Sequence, residues 1–240
     1  MKKTLASLLV SAGLLTSASL AASDRDISVE ITNLTHAIYF TPLLVAAHDR
    51  NTHLFQLSAP ASDSLQAMAE GGDLSGLIND LQASGGEYVV DPAVGLLAPG
   101  ASANASIDRH GKRTRYLSLV GMLLPTNDGF VGLDGLRIPK KKGTYTYFLY
   151  GYDAATEAND EIITGGGAPD TPGIPADPGD NAGVGAIANV APDHNRTVHL
   201  HRGVIGDSDP LGGESDLDAR VHRWQGPVAR LVVRVGEKDD

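Results

Sequence analysis

Two groups of carboxylates have the spacing to do chemistry. Asp128 stands in the tip Thr126-Asn127-Asp128-Gly129, with Asp134 six residues later. The second group, Tyr152-Asp153-Ala154-Ala155-Thr156-Glu157-Ala158-Asn159-Asp160-Glu161, follows an aromatic run. Carboxylates on neighbouring loops suit Ca²⁺, which takes six to eight hard oxygens in a flexible geometry. Asn-Asp-Gly is also a turn sequence, because Asn and Asp bond their own backbone and tolerate left-handed geometry. The residues themselves leave both readings open.

Other combinations carry less. His199 and His201 are two apart on an alternating stretch, so both face one side of a strand. With His194 or His222 they have the donor type for zinc or copper, but such a pair equally suits a solvated strand face. Ile205 to Pro210 and Gly213 to Asp218 look like calcium loops and depart from the EF-hand pattern. Leu211 stands at the third ligand position and Pro210 stiffens the backbone. No Gly-x-Ser-x-Gly elbow is present. Eight His and 29 acidic residues can always be combined into a nominal triad, so a secreted hydrolase using His and Asp stands only as an alternative. Gly165-Gly166-Gly167 leads into no helix, as a phosphate-binding loop would. Asn33-Leu34-Thr35, Asn104-Ala105-Ser106 and Asn195-Arg196-Thr197 match the glycan acceptor pattern, which chance also produces.

The elements that must position the carboxylates are mostly strands. Ile27 to Ile31 alternates as a half-buried strand does, and Ala37 to Ala47 is apolar enough to be covered on both faces, with Pro42 near a bulge or edge. Ser62 to Leu81 is the one helical region. Leu74, Leu77, Ile78 and Leu81 share a face, Asp73 is a plausible N-cap, and Gly71-Gly72 splits off a shorter turn of helix at Ser64 to Glu70. Ala101 to Asp108 is a strand of small and polar residues. Tyr116 to Leu124 is apolar on both faces and therefore central. Phe130 to Ile138 pairs with the aromatic Thr144 to Tyr152 across a Lys-rich turn. Thr197 to His201 alternates, and Val228 to Val235 closes the chain with Leu231, Val233 and Val235 on one face. Residues 165–192 are Gly/Pro-rich and read as a long loop. Many short strands and one small helical insertion predict an all-β, antiparallel two-sheet sandwich. If Leu117 to Leu124 and Thr144 to Tyr152 run the same way, both acidic groups emerge at one end.

The bulk numbers narrow the partners. Lys2-Lys3, the apolar run Leu5 to Leu15 and Ser19-Leu20-Ala21 read as a signal peptide over residues 1–21. Its removal leaves 219 of the 240 residues as one domain, 22–240, and takes the formal charge from −10 to −12. Such a charge argues against nucleic acid and anionic membranes as partners, and no run is long enough to span a bilayer. The absence of cysteine excludes disulfides, thiol catalysis and thiolate zinc sites. The expected location is the periplasm of a bacterium, or outside the cell.

Met122 to Leu133 resembles the stretch of the spondin domain in which a strand ends in a Ser-Pro-Asp-Trp tip followed by Phe-Val-Gly. Tyr152 to Glu157 resembles its second signature, aromatic-Asp-Ala-Gly-Thr-Asp, and Gly226 to Val233 resembles its closing strand. Asn33-Leu34-Thr35, Phe40-Thr41-Pro42 and His48-Asp49 are similar to the opening of exported bacterial members. The resemblance implies a C2-like sandwich with a calcium ion near the acidic loops, serving binding or adhesion rather than catalysis. By position it implies Asp128, Asp153 and Glu157 as calcium ligands, and Asp160 joins them by proximity. The partner implied is a protein or glycan at the cell surface or in the periplasm. Gly129 stands where the animal proteins have Trp, Ala155 replaces Gly, and Glu157 replaces the second Asp. A structural envelope protein without an ion is a further alternative.

Overall fold

The computed structural model describes residues 26–108, 114–188 and 195–236. The signal-peptide expectation for residues 1–21 and the candidate ligand His194 lie outside the described residues. The strands are β1 (Ile27–Asn33), β2 (Tyr39–Phe40), β3 (Leu44–His48), β4 (Glu87–Val90), β5 (Ser102–Ile107), β6 (Tyr116–Leu124), β7 (Gly129–Arg137), β8 (Gly143–Asp153), β9 (His199–Leu200) and β10 (Ala229–Val235). Two helices, α1 (Asp63–Gly71) and α2 (Ser75–Ser84), precede β4.

Most expected strands form for the expected reasons, but the pairing expected across the Lys-rich turn is made only at its far end, Gly129 to Gly132 with Tyr150 to Asp153. Along β1 the inward residues Ile27, Val29 and Ile31 are buried and alternate with partly exposed ones. Pro42 falls in the break between β2 and β3, and β3 is buried along its whole length. The helical region splits at Gly71-Gly72, where Gly72 ends α1 at φ 74°. Such left-handed backbone suits glycine, which has no Cβ to clash. Ser62 caps α1 by accepting from the Leu65 N–H at 3.2 Å. At α2 the cap expectation shifts. Leu74 holds the N-cap position, and Asp73 instead accepts from the Ser75 N–H at 2.8 Å.

The strands do not divide clearly into two sheets. All ten belong to one antiparallel sheet whose main path runs β4-β3-β6-β7-β8-β10-β1-β5, with β2 added to β6 and β9 to β8. The end strands β4 and β5 approach each other, so the sheet is nearly closed, like a barrel. The join is made by β8. Its first part, Gly143 to Leu149, pairs with β10, while Tyr150 to Asp153 pair with β7. One long strand thus serves both halves and removes the gap a sandwich would have.

The core has two parts. The barrel interior holds Val29, Ile31, Phe40, Leu119, Leu123 and Leu231. Outside it, α1 and α2 press Leu65, Met68, Leu77 and Leu81 against Val120 and Met122. β6 therefore faces apolar neighbours on both sides, as its continuous apolar sequence requires. β6 and β8 are each antiparallel to β7, so they run in the same direction. Their C-terminal ends, Leu124 and Asp153, open at the same end of the molecule.

Candidate metal centre at the acidic end

The tip after β6 is buried: Thr126, Asn127 and Asp128 are 3%, 1% and 0% exposed. Its turn is braced by Thr126, not by Asp128. Thr126 Oγ1 donates to Leu123 O at 2.6 Å and accepts the Gly129 N–H at 3.0 Å. The Asp128 carboxylate reaches across to the loop after β8 instead. Its Oδ2 accepts the Thr156 N–H at 2.9 Å, the Glu157 N–H at 3.2 Å and the Thr156 hydroxyl at 3.3 Å. Its Oδ1 is buried without a hydrogen-bond partner.

The facing loop is built on Asp153 at the end of β8. Asp153 Oδ1 accepts the Ala155 N–H at 2.8 Å, and Oδ2 accepts from Asn159 Nδ2 at 2.8 Å. His199 Nε2 stands 3.7 Å from Oδ2. Asn127 ties the two loops together. Its Nδ2 donates to Asp160 Oδ1 at 2.7 Å and Glu157 Oε1 at 3.3 Å, and its Oδ1 accepts the Glu161 N–H at 3.1 Å. Glu157 Oε1 also accepts the Gly173 N–H, while Oε2 is buried without a partner. All four carboxylates predicted as ligands meet this one junction. Asp128 and Asp153 are buried at its floor, and Glu157 and Asp160 share Asn127 nearer the surface.

Burial raises the Asp128 carboxyl to about 7, and the neighbouring Asp153 carboxylate adds to the rise against the pull of the Thr156 and Glu157 N–H groups. Glu157 is also raised to about 7, first by burial, with Glu70 and Asp160 adding repulsion. Among the described residues no Lys or Arg forms an ion pair with Asp128, Asp153, Glu157 or Asp160. Gathering acids without a counter-charge is costly, and a divalent cation is the chemistry that offsets it. By donor type, hard carboxylate and amide oxygens with a free buried lone pair on Asp128, the residues fit calcium. Among the described residues, however, no three His, Cys, Asp or Glu side chains are gathered tightly enough to close around one ion.

The departures from the spondin pattern have local causes. A Cβ at Gly129 would stand 2.6 Å from Thr126 Oγ1 and 3.1 Å from the His201 ring. Those groups fill the space a larger side chain would need. Ala155 has φ 60°, the left-handed region in which glycine is unstrained.

Among the described residues the remaining candidates do not converge. His199 Nδ1 donates to Thr197 O at 2.8 Å, His201 Nδ1 accepts the Gly203 N–H, and His222 is fully buried beside Asp177. The Asp207 carboxylate in the EF-like segment is occupied by the N–H groups of Asp209, Glu214 and Ser215, which hold it below the usual carboxylate range. A Ser–His–Asp arrangement does occur, since Ser118 Oγ lies 2.7 Å from His48 Nε2 and donates to Asp134 Oδ1 at 3.2 Å. Ser118 is 0% exposed within the central strand β6, so no substrate reaches its hydroxyl. Asn33 is equally buried, and its amide donates to Ile38 O and Leu97 O.

Asn127 and Glu161 were missed by sequence reasoning. Glu161 accepts the N–H groups of Ile205 and Gly206 and the Ser215 hydroxyl, pinning a distant loop to the junction. Only its place in the acidic run marked it out. Asn127 looked like turn chemistry, and its partners lie some thirty residues away in sequence.

No curated protein matches the chain. The family model described as Spondin_N matches residues 32–172, which carry strands β2 to β8 and both acidic loops. The chain therefore belongs to the spondin N-terminal domain family, an extracellular type of domain.

Proposed function

We propose that the chain is an exported, non-catalytic binding module whose acidic end is organised by calcium. The observation that carries this reading is the buried, partnerless Asp128 Oδ1 beside Asp153, where among the described residues neither carboxylate pairs with a Lys or Arg and only His199, 3.7 Å from Asp153 Oδ2, stands near. Asp128 and Asp153 would supply the central carboxylates, with Glu157 and Asp160 completing the oxygen set from the second loop. When bound, the ion neutralises these acids and so locks the Asp128 tip to the 153–161 loop. The partner is a protein or glycan met at the cell surface or in the periplasm.

Thermal melting with and without calcium tests it. A ligand held only by the folded state at about a hundred times its Kd adds about 2.7 kcal/mol, or roughly 5–10 °C in Tm for a chain of this size. Native protein should gain that increment, and the double substitution Asp128→Asn plus Asp153→Asn should lose it. A flat melt in millimolar calcium sinks the ion and leaves a structural envelope domain. An equal gain in the double variant keeps the ion and discards these ligands.

A further inference from the structure

We infer that a trough at the edge of β8, adjoining the acidic junction but lined by none of its carboxylates, is a binding site for a neutral pyranoside, held by stacking on Trp224 and Tyr150 and by hydrogen bonds from Arg202 and Gln225. The trough lies where β9 ends and β10 is about to begin. Its volume is about 320 Å³, and Tyr150, Leu200, His201, Arg202, Trp224 and Gln225 line it. That is near the lower end, about 300 Å³, of the range for small-ligand sites.

The floor is aromatic. The Trp224 and His201 rings lie 5.0 Å apart at 37°. An added Cβ at Gly151 would stand 3.3 Å from the indole, so bare backbone lets the ring settle against β8. Tyr150 and Leu200 stand exposed at the rim, 45% and 58% accessible. An aromatic face is electron-rich and attracts the polarised C–H bonds on one face of a sugar ring. The polar part matches. Arg202 and Gln225 are exposed, and among the described residues neither makes a hydrogen bond or ion pair to the protein. A guanidinium fork and a carboxamide are the donors and acceptor that adjacent hydroxyls call for.

The same trough argues against other ligands. It is lined by no carboxylate and carries the Arg202 guanidinium, which repels a cationic ligand, and it lacks the acid pair that glycoside hydrolysis uses. On its other side Arg202 borders a cleft with Asp160, Glu161 and Asp207, which offset its charge toward an anion. A peptide cannot add as a strand here. Gly151 O already accepts the His201 N–H at 3.0 Å, and Leu149 O the Val228 N–H at 2.8 Å.

The inference rests on the binding-module reading and makes the partner a glycan. Trp224 is the only tryptophan of the chain, so its fluorescence reports the trough directly. The full chain is titrated with cellobiose, chitobiose, maltose and lactose, each in calcium and in chelator. A saturable change in emission with at least one sugar, weakened about tenfold by Arg202→Ala or Tyr150→Ala at unchanged Tm, supports the site. No saturable change with any of the four overturns it. So does a change that neither variant affects, or binding of a proline-rich peptide in place of the sugars. Sugar binding alongside a flat calcium melt removes only the ion, and a calcium-dependent melt without sugar binding removes only the trough.

Discussion

Replacing Asp128 by Asn isolates the cost of burying a carboxylate beside other acids. In the folded protein its value lies near 7, against 3.8 ordinarily. The folded state thus holds a proton that the unfolded chain has released, and stability falls as pH rises between these two values. At about 1.4 kcal/mol per pH unit the full difference approaches about 4 kcal/mol once the pH exceeds 7. The Asn side chain keeps an oxygen for the Thr156 and Glu157 N–H groups and carries no charge. In chelator, urea unfolding should therefore show the variant about as stable as native protein near pH 4 and more stable by up to about 4 kcal/mol near pH 8. Saturating calcium should reverse the order at the higher pH, because the ion needs the carboxylate that Asn lacks. A native-minus-variant difference that stays constant from about pH 4 to pH 8 in chelator would show that folding does not raise the Asp128 carboxyl.

Two further outcomes follow from single contacts. Ala155→Gly should stabilise the fold by about 0.5–1 kcal/mol in chemical denaturation, because Ala155 occupies left-handed backbone that glycine adopts without strain; a loss of stability would show that the Ala155 methyl packs more favourably than its backbone strains. Ser118→Ala should destabilise by about 1–3 kcal/mol, since it leaves His48 Nε2 and the Gly135 N–H, 2.9 Å from Ser118 Oγ, unsatisfied in the interior.

Much of this architecture is legible in the sequence where the signal is local. The alternation of Ile27 to Ile31 gives β1, the two-sided apolar run of Tyr116 to Leu124 gives the central β6, and Gly71-Gly72 divides the helices. The single sheet is not legible, because it depends on β8 changing partners at Leu149–Tyr150, and nothing in a run of aromatic residues marks that point. β4 escapes notice because Glu87 to Val90 is too short to show a period, and it is fixed by pairing with β3. At the acidic end the order of the motifs brings Asp128 and the 153–161 loop together correctly. What local sequence cannot separate is a turn-forming Asp from a functional one. In Asn-Asp-Gly the turn is secured by Thr126, which frees Asp128 to cross to Thr156 and Glu157. That division of labour depends on residues nearly thirty positions apart.

The calcium proposed at the Asp128–Asp153 junction can be located directly. A crystal structure determined from calcium-saturated protein, with anomalous scattering to identify the ion, tests it most directly. One calcium is expected in contact with Asp128 Oδ1 and an Asp153 oxygen, with Glu157 Oε2 drawn toward it. A saturated crystal with the ion elsewhere, and Asp128 Oδ1 still without a partner, would contradict it.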